Sequence, residues 1–243
     1  MRIVVVGGTG NFGARIVRAL RTDPNIELLV AGRRIISVPA AEDVPGVLVD
    51  IDEGGFAQGL KDLSPGLVIH CVGPFQGQDY RVSNAALAAG AHYLDLADGR
   101  RFITEFAAGM NDHAVRVSRV AISGASTLPA LSSAVVEELR VGLSSLESMF
   151  DAGAGEKGGM RVSVVGNRSD SGGRVRRTWQ LTAPAMDGPE IPCMAAILLA
   201  RRLARGEVFK SGAFPCMGFL TLSEFAPEFA RWKITTRIEE VPA

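Results

Sequence analysis

The chain has 243 residues, a hydrophobic content of 47%, and 26 basic against 26 acidic side chains. This length permits a substantial core in one large domain or two small ones. The balanced charge gives no global field that would recruit nucleic acid or an anionic membrane. Cys71, Cys193 and Cys216 share no short spacing, which argues against a metal site or a disulfide scaffold. With no signal-peptide pattern and no apolar stretch long enough to span a bilayer, we expect a cytoplasmic globular protein.

Residues 2–126 alternate between short β-branched runs and segments with helical spacing. The runs are "RIVVVG", "IELLVAG", "GVLVD", "GLVIHCVG", "HYLDLA" and "RVAISGA". Continuous apolar runs are typical of strands buried on both faces, as in parallel sheets. The alternation predicts a Rossmann-like doubly wound α/β domain over residues 1–128. One connection, "RRIISVPAAEDVPG", contains two prolines and little helical pattern, so we expect it to be short or irregular.

The alternation of β-branched runs and helical segments does not continue beyond residue 129. A helical segment comes first, and then the glycine-rich "DAGAGEKGGM", whose residues 153–159 we interpret as a linker. "MRVSVVGNR" and "RVRRTWQLTAP" predict a β-hairpin. A helix, a Gly/Pro loop, a short helix near 221–226 and a final strand follow. We therefore predict a smaller α+β domain over 129–243 with a mainly antiparallel sheet.

The stretch "GGTGNFG" lies between the first strand and the first helix. Gly7 permits a sharp turn, Gly10 leaves space for a pyrophosphate to approach the backbone, and Gly13 permits close packing of helix and sheet. The helix N-terminus supplies free N–H groups and a partial positive charge. The whole loop, including Thr9, Asn11 and Phe12, is predicted to bind a dinucleotide; the alternative is a purely structural glycine turn.

The end of the second strand usually selects between NAD and NADP. This chain has "VAGRR" there, with Arg33 and Arg34 and no carboxylate. A guanidinium can pair with a 2′-phosphate, whereas a carboxylate would repel it. The sequence therefore favours NADP over NAD, with solvated surface arginines as the alternative. Asp50, which closes "VLVD", is a candidate contact on the adenine side or a loop cap.

Two later strand ends form Gly/Pro turns where ligands of such sheets bind. "HCVGPF" places Val72, Gly73, Pro74 and Phe75 after the fourth strand, as a platform for the nicotinamide half. "SGASTLP" places Ser126 after the sixth strand. We predict that both turns contact the cofactor.

Short-chain dehydrogenases carry a catalytic tyrosine with a lysine four residues later, and this chain lacks the pair. Tyr80 is followed at that spacing by Asn84, and Tyr93 by Ala97. The remaining polar candidates lie in "HYLDLADGRR". Asp95 is the candidate general acid or base, with helix capping as the alternative.

For three further polar residues the sequence favours a structural role. Asp98 is a second candidate acid or base, but the sequence favours it as a cap of the helix that follows it. His70 and His92, which lie on or beside strands, are predicted to be packed and hydrogen-bonded core histidines.

The chain resembles the saccharopine dehydrogenase-like oxidoreductases. The resemblance rests on "VVVGGTGNFG", "AGR", "VIHCVGPFQGQDYRVSNAALAAGAHYLDLADGRRFITEF" and "SGASTLPALSSAVVEEL", with "IPCMAAILLARRLARGE" and "GAFPCMGFLTLSEF" nearer the end. It implies an NAD(P)-binding Rossmann domain followed by an α+β domain that shapes a substrate pocket and often mediates dimerisation. It also implies cofactor contacts from the Gly7–Gly13 loop, Arg33, and the 72–75 and 126–129 turns. Bacterial relatives carry a longer segment where this chain has only "ESMFDAGAGEKGG".

These observations predict an NADP-preferring oxidoreductase that transfers a hydride between nicotinamide and a C=N or C=O carbon of a small-molecule substrate, and that forms a homodimer. Two alternatives stay open. The first is a non-catalytic NADP(H)-binding sensor or scaffold. The second is an atypical short-chain reductase, whose final strand would join the parallel sheet.

Overall fold

A computed structural model describes residues 1–34, 37–39, 41–151, 158–170, 173–184 and 186–243, with the backbone alone for 147–151. The strands are β1 Arg2–Val6, β2 Glu27–Gly32, β3 Gly46–Leu48, β4 Leu67–His70, β5 His92–Asp95, β6 Val120–Ser123, β7 Glu147–Asp151, β8 Gly159–Asn167, β9 Arg174–Thr182, β10 Gly212–Pro215 and β11 Thr235–Pro242. The α-helices are α1 Asn11–Leu20, α2 Phe56–Asp62, α3 Arg81–Ala88, α4 Arg100–Arg116, α5 Ser132–Leu139, α6 Ile191–Ala204 and α7 Leu222–Arg231.

Seven strands form a parallel sheet in the order β10-β6-β5-β4-β1-β2-β3. The order reverses between β1 and β4, so the carboxyl ends of these two strands flank the switch point where ligands of doubly wound sheets bind. Residues of β1 and β4 are almost entirely buried, which agrees with their uninterrupted apolar sequences. The predicted Rossmann-like fold is confirmed.

Four strands form a second, antiparallel sheet in the order β11-β9-β8-β7. Its core contains Trp179 of β9 beside Phe229 of α7, with ring centroids 6.4 Å apart, and Phe225 stacks on Phe229 at 5.9 Å. The predicted hairpin corresponds to β8 and β9, and the predicted final strand is β11. Because β11 pairs with β9 and not with the parallel sheet, the topology is not that of a short-chain reductase.

The chain divides into two compact units, but not at a single point. One unit comprises Met1–Pro129 with Pro192–Cys216, and the other comprises Ala130–Ile191 with Met217–Ala243. The first crossing between the units lies between Pro129 and Ala130, and the chain returns to the first unit for 192–216. The division into domains 1–128 and 129–243 stays a prediction.

The return includes a strand that the sequence analysis missed. Residues 212–215, predicted as part of a Gly/Pro loop, form β10 and pair in parallel with β6. The N–H of Gly212 donates to the Arg119 carbonyl at 3.0 Å, and the N–H of Cys216 donates to the Ser123 carbonyl at 2.8 Å. The extended conformation of these residues is imposed by pairing with a strand that is distant in the sequence, and no local pattern predicts it.

Two further expectations concern connections. Between β2 and β3 the described residues contain no helix, which confirms the irregular connection. Most of the predicted linker at 153–159 lies outside the described residues, and β8 already begins at Gly159. Within the described residues, no helix is long and apolar enough to cross a membrane.

Candidate dinucleotide site

A groove of about 760 Å³ lies in the first unit at the carboxyl ends of β1, β2, β3 and β4. Ligand sites in proteins commonly have volumes of this order. Its lining residues come from the glycine loop, the β2 end, the segment after β3, and the turn after β4. They include Gly7, Thr9, Gly10, Arg33, Arg34, Asp50, Asp52, Cys71, Val72, Gly73, Pro74, Gln78, Asp79 and Arg81.

The glycine loop can only be built with glycine at two of its positions. Gly7 has φ +80°, and a Cβ there would lie 2.8 Å from a methyl carbon of Val72. A Cβ at Gly13 would collide with the Gly7 carbonyl oxygen and would lie 2.7 Å from the Cα of Gly8. The sequence predicts close packing of helix and sheet at Gly13, and the structure shows instead a close approach of α1 to the glycine loop that follows β1.

The loop leads directly into α1, whose N-cap is Gly10. The first N–H groups of a helix have no partner within it, and they carry a partial positive charge. The first turn of α1 contains no acidic residue that would compete for them. Gly10 has an open approach, since a Cβ there would meet only the Gly7 carbonyl oxygen at 3.2 Å. The site can therefore accept an anion.

Two exposed arginines line the groove at the end of β2. No described residue forms an ion pair or a side-chain hydrogen bond with Arg33 or Arg34. Asp50 lines the same region, and its Oδ1 accepts a hydrogen bond from the N–H of Asp52 at 3.0 Å. Two positive charges without a described partner thus lie in the same groove as the Asp50 carboxylate, whereas the other two groove carboxylates, Asp52 and Asp79, form ion pairs with Arg81.

A smaller hollow of about 360 Å³ adjoins this end of the groove. Arg33, Val49 and Asp50 line both spaces, and the buried ring of Phe56 contributes an apolar wall to the smaller one. A flat, mostly apolar group could lie in the smaller hollow, while an anionic chain attached to it lies in the groove.

The turn after β4 is held by a side chain that the sequence analysis did not single out. Nε2 of Gln78 donates hydrogen bonds to the carbonyls of Val72 at 2.9 Å and Pro74 at 2.7 Å. Val72, Gly73 and Pro74 line the groove. Phe75 does not, because its ring is buried with its centroid 5.0 Å from that of His70 and 5.5 Å from that of Phe102.

An exposed ion-pair cluster borders the same turn. Nη1 of Arg81 lies 2.7 Å from Oδ1 of Asp52, and Nε of Arg81 lies 2.8 Å from Oδ1 of Asp79. Arg81 therefore joins the segment after β3 to the start of α3. The hydrogen bond from Arg81 lowers the pKa of the Asp79 carboxyl.

Asp95, the predicted acid or base, is completely buried at the end of β5 and does not line the groove. Its Oδ1 accepts hydrogen bonds from the N–H groups of Gly124 at 2.8 Å and Ala97 at 2.9 Å, and from the hydroxyl of Ser123 at 3.0 Å. Its Oδ2 has no partner among the described residues. Burial raises the pKa of Asp95 to about 6, against the lowering effect of these hydrogen bonds. In this geometry Asp95 ties the ends of β5 and β6 together.

The two strand histidines are structural, as predicted. His70 is buried, and its Nδ1 lies 3.0 Å from the hydroxyl of Tyr93. Burial lowers the pKa of His70 to about 4. Nδ1 of His92 accepts a hydrogen bond from the N–H of Val120 at 3.1 Å, and burial followed by the Arg119 charge lowers its pKa to about 4.

The structure brings nine of the predicted cofactor residues into one groove: Gly7, Thr9, Gly10, Arg33, Arg34, Asp50, Val72, Gly73 and Pro74. Asn11, Phe12, Gly13, Phe75 and Ser126 do not line it. Ser126 is buried, and its N–H donates to the Gly124 carbonyl at 2.7 Å. Asp98 was predicted to cap α4, but the N-cap is Gly99, and Asp98 instead accepts a hydrogen bond from Gln76 at 3.2 Å.

No protein-family model matches the chain. No curated protein matches it either. Its structure is nevertheless similar to several solved ones. Saccharopine dehydrogenase (L-Glu forming) from Saccharomyces cerevisiae aligns with a TM-score of 0.76 and 8% identity, over 99% of this chain and 99% of that one.

Two further solved structures align over 93% of this chain and 98% of their own, each at 13% identity. They are the C. glutamicum DAP dehydrogenase in complex with DAP, with a TM-score of 0.59, and an engineered D-amino acid dehydrogenase bound to NADP+, with a TM-score of 0.57. At these identities the similarity concerns the fold. The predicted resemblance is confirmed at that level: this chain has the two-part Rossmann fold of saccharopine dehydrogenase and DAP dehydrogenase.

Proposed function

We propose that the chain is an NADP-preferring oxidoreductase. One observation supports this most strongly: a single groove at the switch point of the parallel sheet is lined by the glycine loop, by Arg33 and Arg34, and by the turn after β4. Neither arginine side chain has a partner among the described residues. The glycine loop and the α1 N-terminus would take the pyrophosphate. Arg33 and Arg34 would hold a 2′-phosphate on the adenine ribose, and the hollow beside Asp50 and Phe56 would take the adenine.

The preference for NADP follows from charge. A ribose 2′-phosphate carries negative charge that a carboxylate at the end of β2 would repel, and this chain has two guanidinium groups there instead. A guanidinium can donate two parallel hydrogen bonds to a phosphate. Asp50 offsets the field only in part, because its single carboxylate lies in the groove with two guanidinium groups.

The turn of Val72, Gly73 and Pro74 would support the nicotinamide half. Bound nicotinamide supplies hydride transfer, and the protein supplies position and electrostatics. Gln78 holds this turn through two of its carbonyls, so the surface that meets the ring is fixed before any ligand arrives.

For the substrate we propose a small molecule with a C=N or C=O carbon. The solved structures with a similar fold support this, since their names are those of saccharopine, DAP and D-amino acid dehydrogenases. The assignment of proton handling to Asp95 remains a prediction. Its complete burial and its bonds to Ser123 and Gly124 favour a positioning role. We also propose a cytoplasmic homodimer.

A second candidate function is an NADP(H)-binding sensor or scaffold without turnover. The observation that favours it is the position of Asp95, because the one residue predicted to act as acid or base does not line the groove. In that case NADPH would bind and would never be oxidised.

Turnover separates the two functions. We would follow the absorbance of NADPH with a panel of 2-oxo acids plus ammonia or primary amines, and with cyclic imines. Oxidation whose KM for NADPH rises in the Arg33→Ala/Arg34→Ala variant while kcat is retained supports the enzyme. Tight NADPH binding with no oxidation by any member of the panel supports the sensor.

A further inference from the structure

β11 forms one edge of the antiparallel sheet, and its residues Thr235 to Pro242 are all exposed. It pairs with β9 on one side, and no strand of the described chain pairs with its other side. Such an edge presents unpaired N–H and C=O groups that can template pairing with another chain. The side chains of β11 determine which partner can pair with this edge.

The register of β11 against β9 determines which backbone groups are free. The N–H of Ala243 donates to the Arg174 carbonyl at 3.1 Å, directly after the pair Pro242↔Val175. Because hydrogen-bonded and non-hydrogen-bonded pairs alternate in antiparallel strands, the odd-numbered residues of β11 bond to β9. The even-numbered residues Thr236, Ile238 and Glu240 therefore direct their N–H and C=O groups toward the open edge. Pro242 faces the same way and has no N–H to offer.

A second copy of β11 fits this edge when the twofold axis passes through Ile238. Thr236, Ile238 and Glu240 then pair with Glu240, Ile238 and Thr236 of the other copy. Each strand donates three backbone hydrogen bonds, which gives six across the junction. In this register the non-hydrogen-bonded positions, where side chains approach most closely, place Arg237 of each copy opposite Glu239 of the other.

Charge selects this register from its neighbours. If the axis moved to residue 237, two copies of Arg237 would face each other, and if it moved to residue 239, two copies of Glu239 would do so. Like charges directly opposite in a sheet are destabilising. Within one chain, Nη1 of Arg237 lies 3.1 Å from Oε1 of Glu239 on the same face of β11. The twofold pairing would therefore form a cluster of four alternating charges, two from each copy.

The other face of β11 is also compatible with pairing. Ile238, which is 52% exposed, lies in register with the buried Trp179 of β9. Pairing would cover Ile238 with its own copy and extend the apolar face of the sheet. Glu240 adds no uncompensated charge there, because it makes ion pairs with Arg177 and with Arg168 at 2.9 Å.

We propose that the open edge of β11 is a homodimer interface, in which two copies join their antiparallel sheets through twofold pairing centred on Ile238. This proposal names a surface for the homodimer proposed above, and it does not depend on cofactor binding or turnover.

The test is a charge reversal with its rescue, read by sedimentation equilibrium over a range of protein concentrations. Arg237→Glu would place four acidic side chains at the junction, and we expect the dimer dissociation constant to rise at least tenfold, about 1.4 kcal/mol. The double variant Arg237→Glu/Glu239→Arg restores opposite charges in the same register and should restore the dimer. Ile238→Pro removes an outward N–H that β9 does not use, and it should weaken the dimer independently of charge.

Arg101→Glu is the matched control, because it makes the same charge change on the exposed face of α4 and should leave the dissociation constant unchanged. Circular dichroism of each variant checks that the fold is retained. A dimer that neither Arg237→Glu nor Ile238→Pro weakens would overturn the interface while leaving the homodimer. A wild-type chain that stays monomeric at every concentration would overturn both.

Discussion

A methyl group added at Gly13, in α1, would collide with the carbonyl oxygen of Gly7, in the loop that precedes this helix. The colliding atom is backbone, and it lies in a loop whose φ of +80° at Gly7 leaves little room for adjustment. We predict that Gly13→Ala destabilises the protein by about 1–3 kcal/mol, the usual cost of overpacking. It should also weaken dinucleotide binding, because the loop must shift. Urea unfolding and a cofactor titration measure the two effects.

Gly59→Ala provides the control for the effect on stability alone, because Gly59 lines the smaller hollow beside Asp50 and Phe56. Gly59 lies inside α2, and a Cβ there would meet nothing within 4 Å. Alanine has the higher helix propensity, so this variant should be about 1 kcal/mol more stable than wild type. Equal changes in the free energy of unfolding for the two substitutions would contradict the close packing of α1 on the glycine loop.

Gln78→Ala should loosen the turn after β4. The substitution removes two hydrogen bonds, to the carbonyls of Val72 and Pro74, each worth about 0.5–1.5 kcal/mol. Because the turn lines the groove, part of this loss should appear as weaker NADPH binding, several-fold in the dissociation constant. Gln76→Ala is the matched control: the Gln76 amide bonds to Asp98, outside the groove, and NADPH affinity should be retained. Equal losses in both variants would argue against a role for Gln78 in the site.

Asp95 predicts a dependence of stability on pH. Its pKa is raised by burial from 3.8 to about 6, so its contribution to stability is fully present below pH 4 and is lost as the pH rises through 6. The difference corresponds to about 3 kcal/mol at 1.36 kcal/mol per pKa unit. Asp95→Asn keeps an acceptor for the Gly124 and Ala97 amides but cannot ionise. Relative to wild type, its free energy of unfolding should therefore increase between pH 4 and pH 6.5.

Asp79→Asn should show the opposite trend. Arg81 lowers the pKa of Asp79, so the ionised carboxylate contributes stability above its unfolded pKa, and this is lost as the pH falls. Denaturant unfolding of both variants across the pH range compares the two signs. If the Asp95→Asn curve runs parallel to that of wild type at every pH, the carboxyl of Asp95 does not titrate as its buried position requires.

The sequence predicts the parallel sheet and the glycine loop because both depend on local patterns. Continuous apolar runs mark strands buried on both faces. Glycine is required at position 7 by its positive φ, and at position 13 by the backbone of Gly7 and Gly8 a few residues away. β10 has no such pattern. Its four residues include Gly212 and Pro215, and only pairing with β6 makes them a strand.

Side-chain direction at the ends of strands is harder to predict. The sequence places Asp95 correctly at the end of β5, where a groove residue would be expected. Its carboxylate instead accepts hydrogen bonds from Ser123 at the end of β6 and from Gly124 directly after it, and the sequence pattern does not show which way a side chain at a strand end points. Gln76 and Gln78 are likewise equivalent in the sequence "FQGQDY". Only the course of the turn directs one amide to the carbonyls of the groove and the other to Asp98.

The most direct measurement is a binding titration of NADPH against NADH with wild type, Arg33→Ala, Arg34→Ala and the double variant. Arg116→Ala, which removes an exposed arginine from the last turn of α4, serves as the control. We expect NADPH to bind wild type and the control at least tenfold more tightly than NADH, about 1.4 kcal/mol, and the double variant to lose that preference. Equal affinities for the two nucleotides in wild type would contradict the role of the arginines, and binding of neither would make "GGTGNFG" a structural turn.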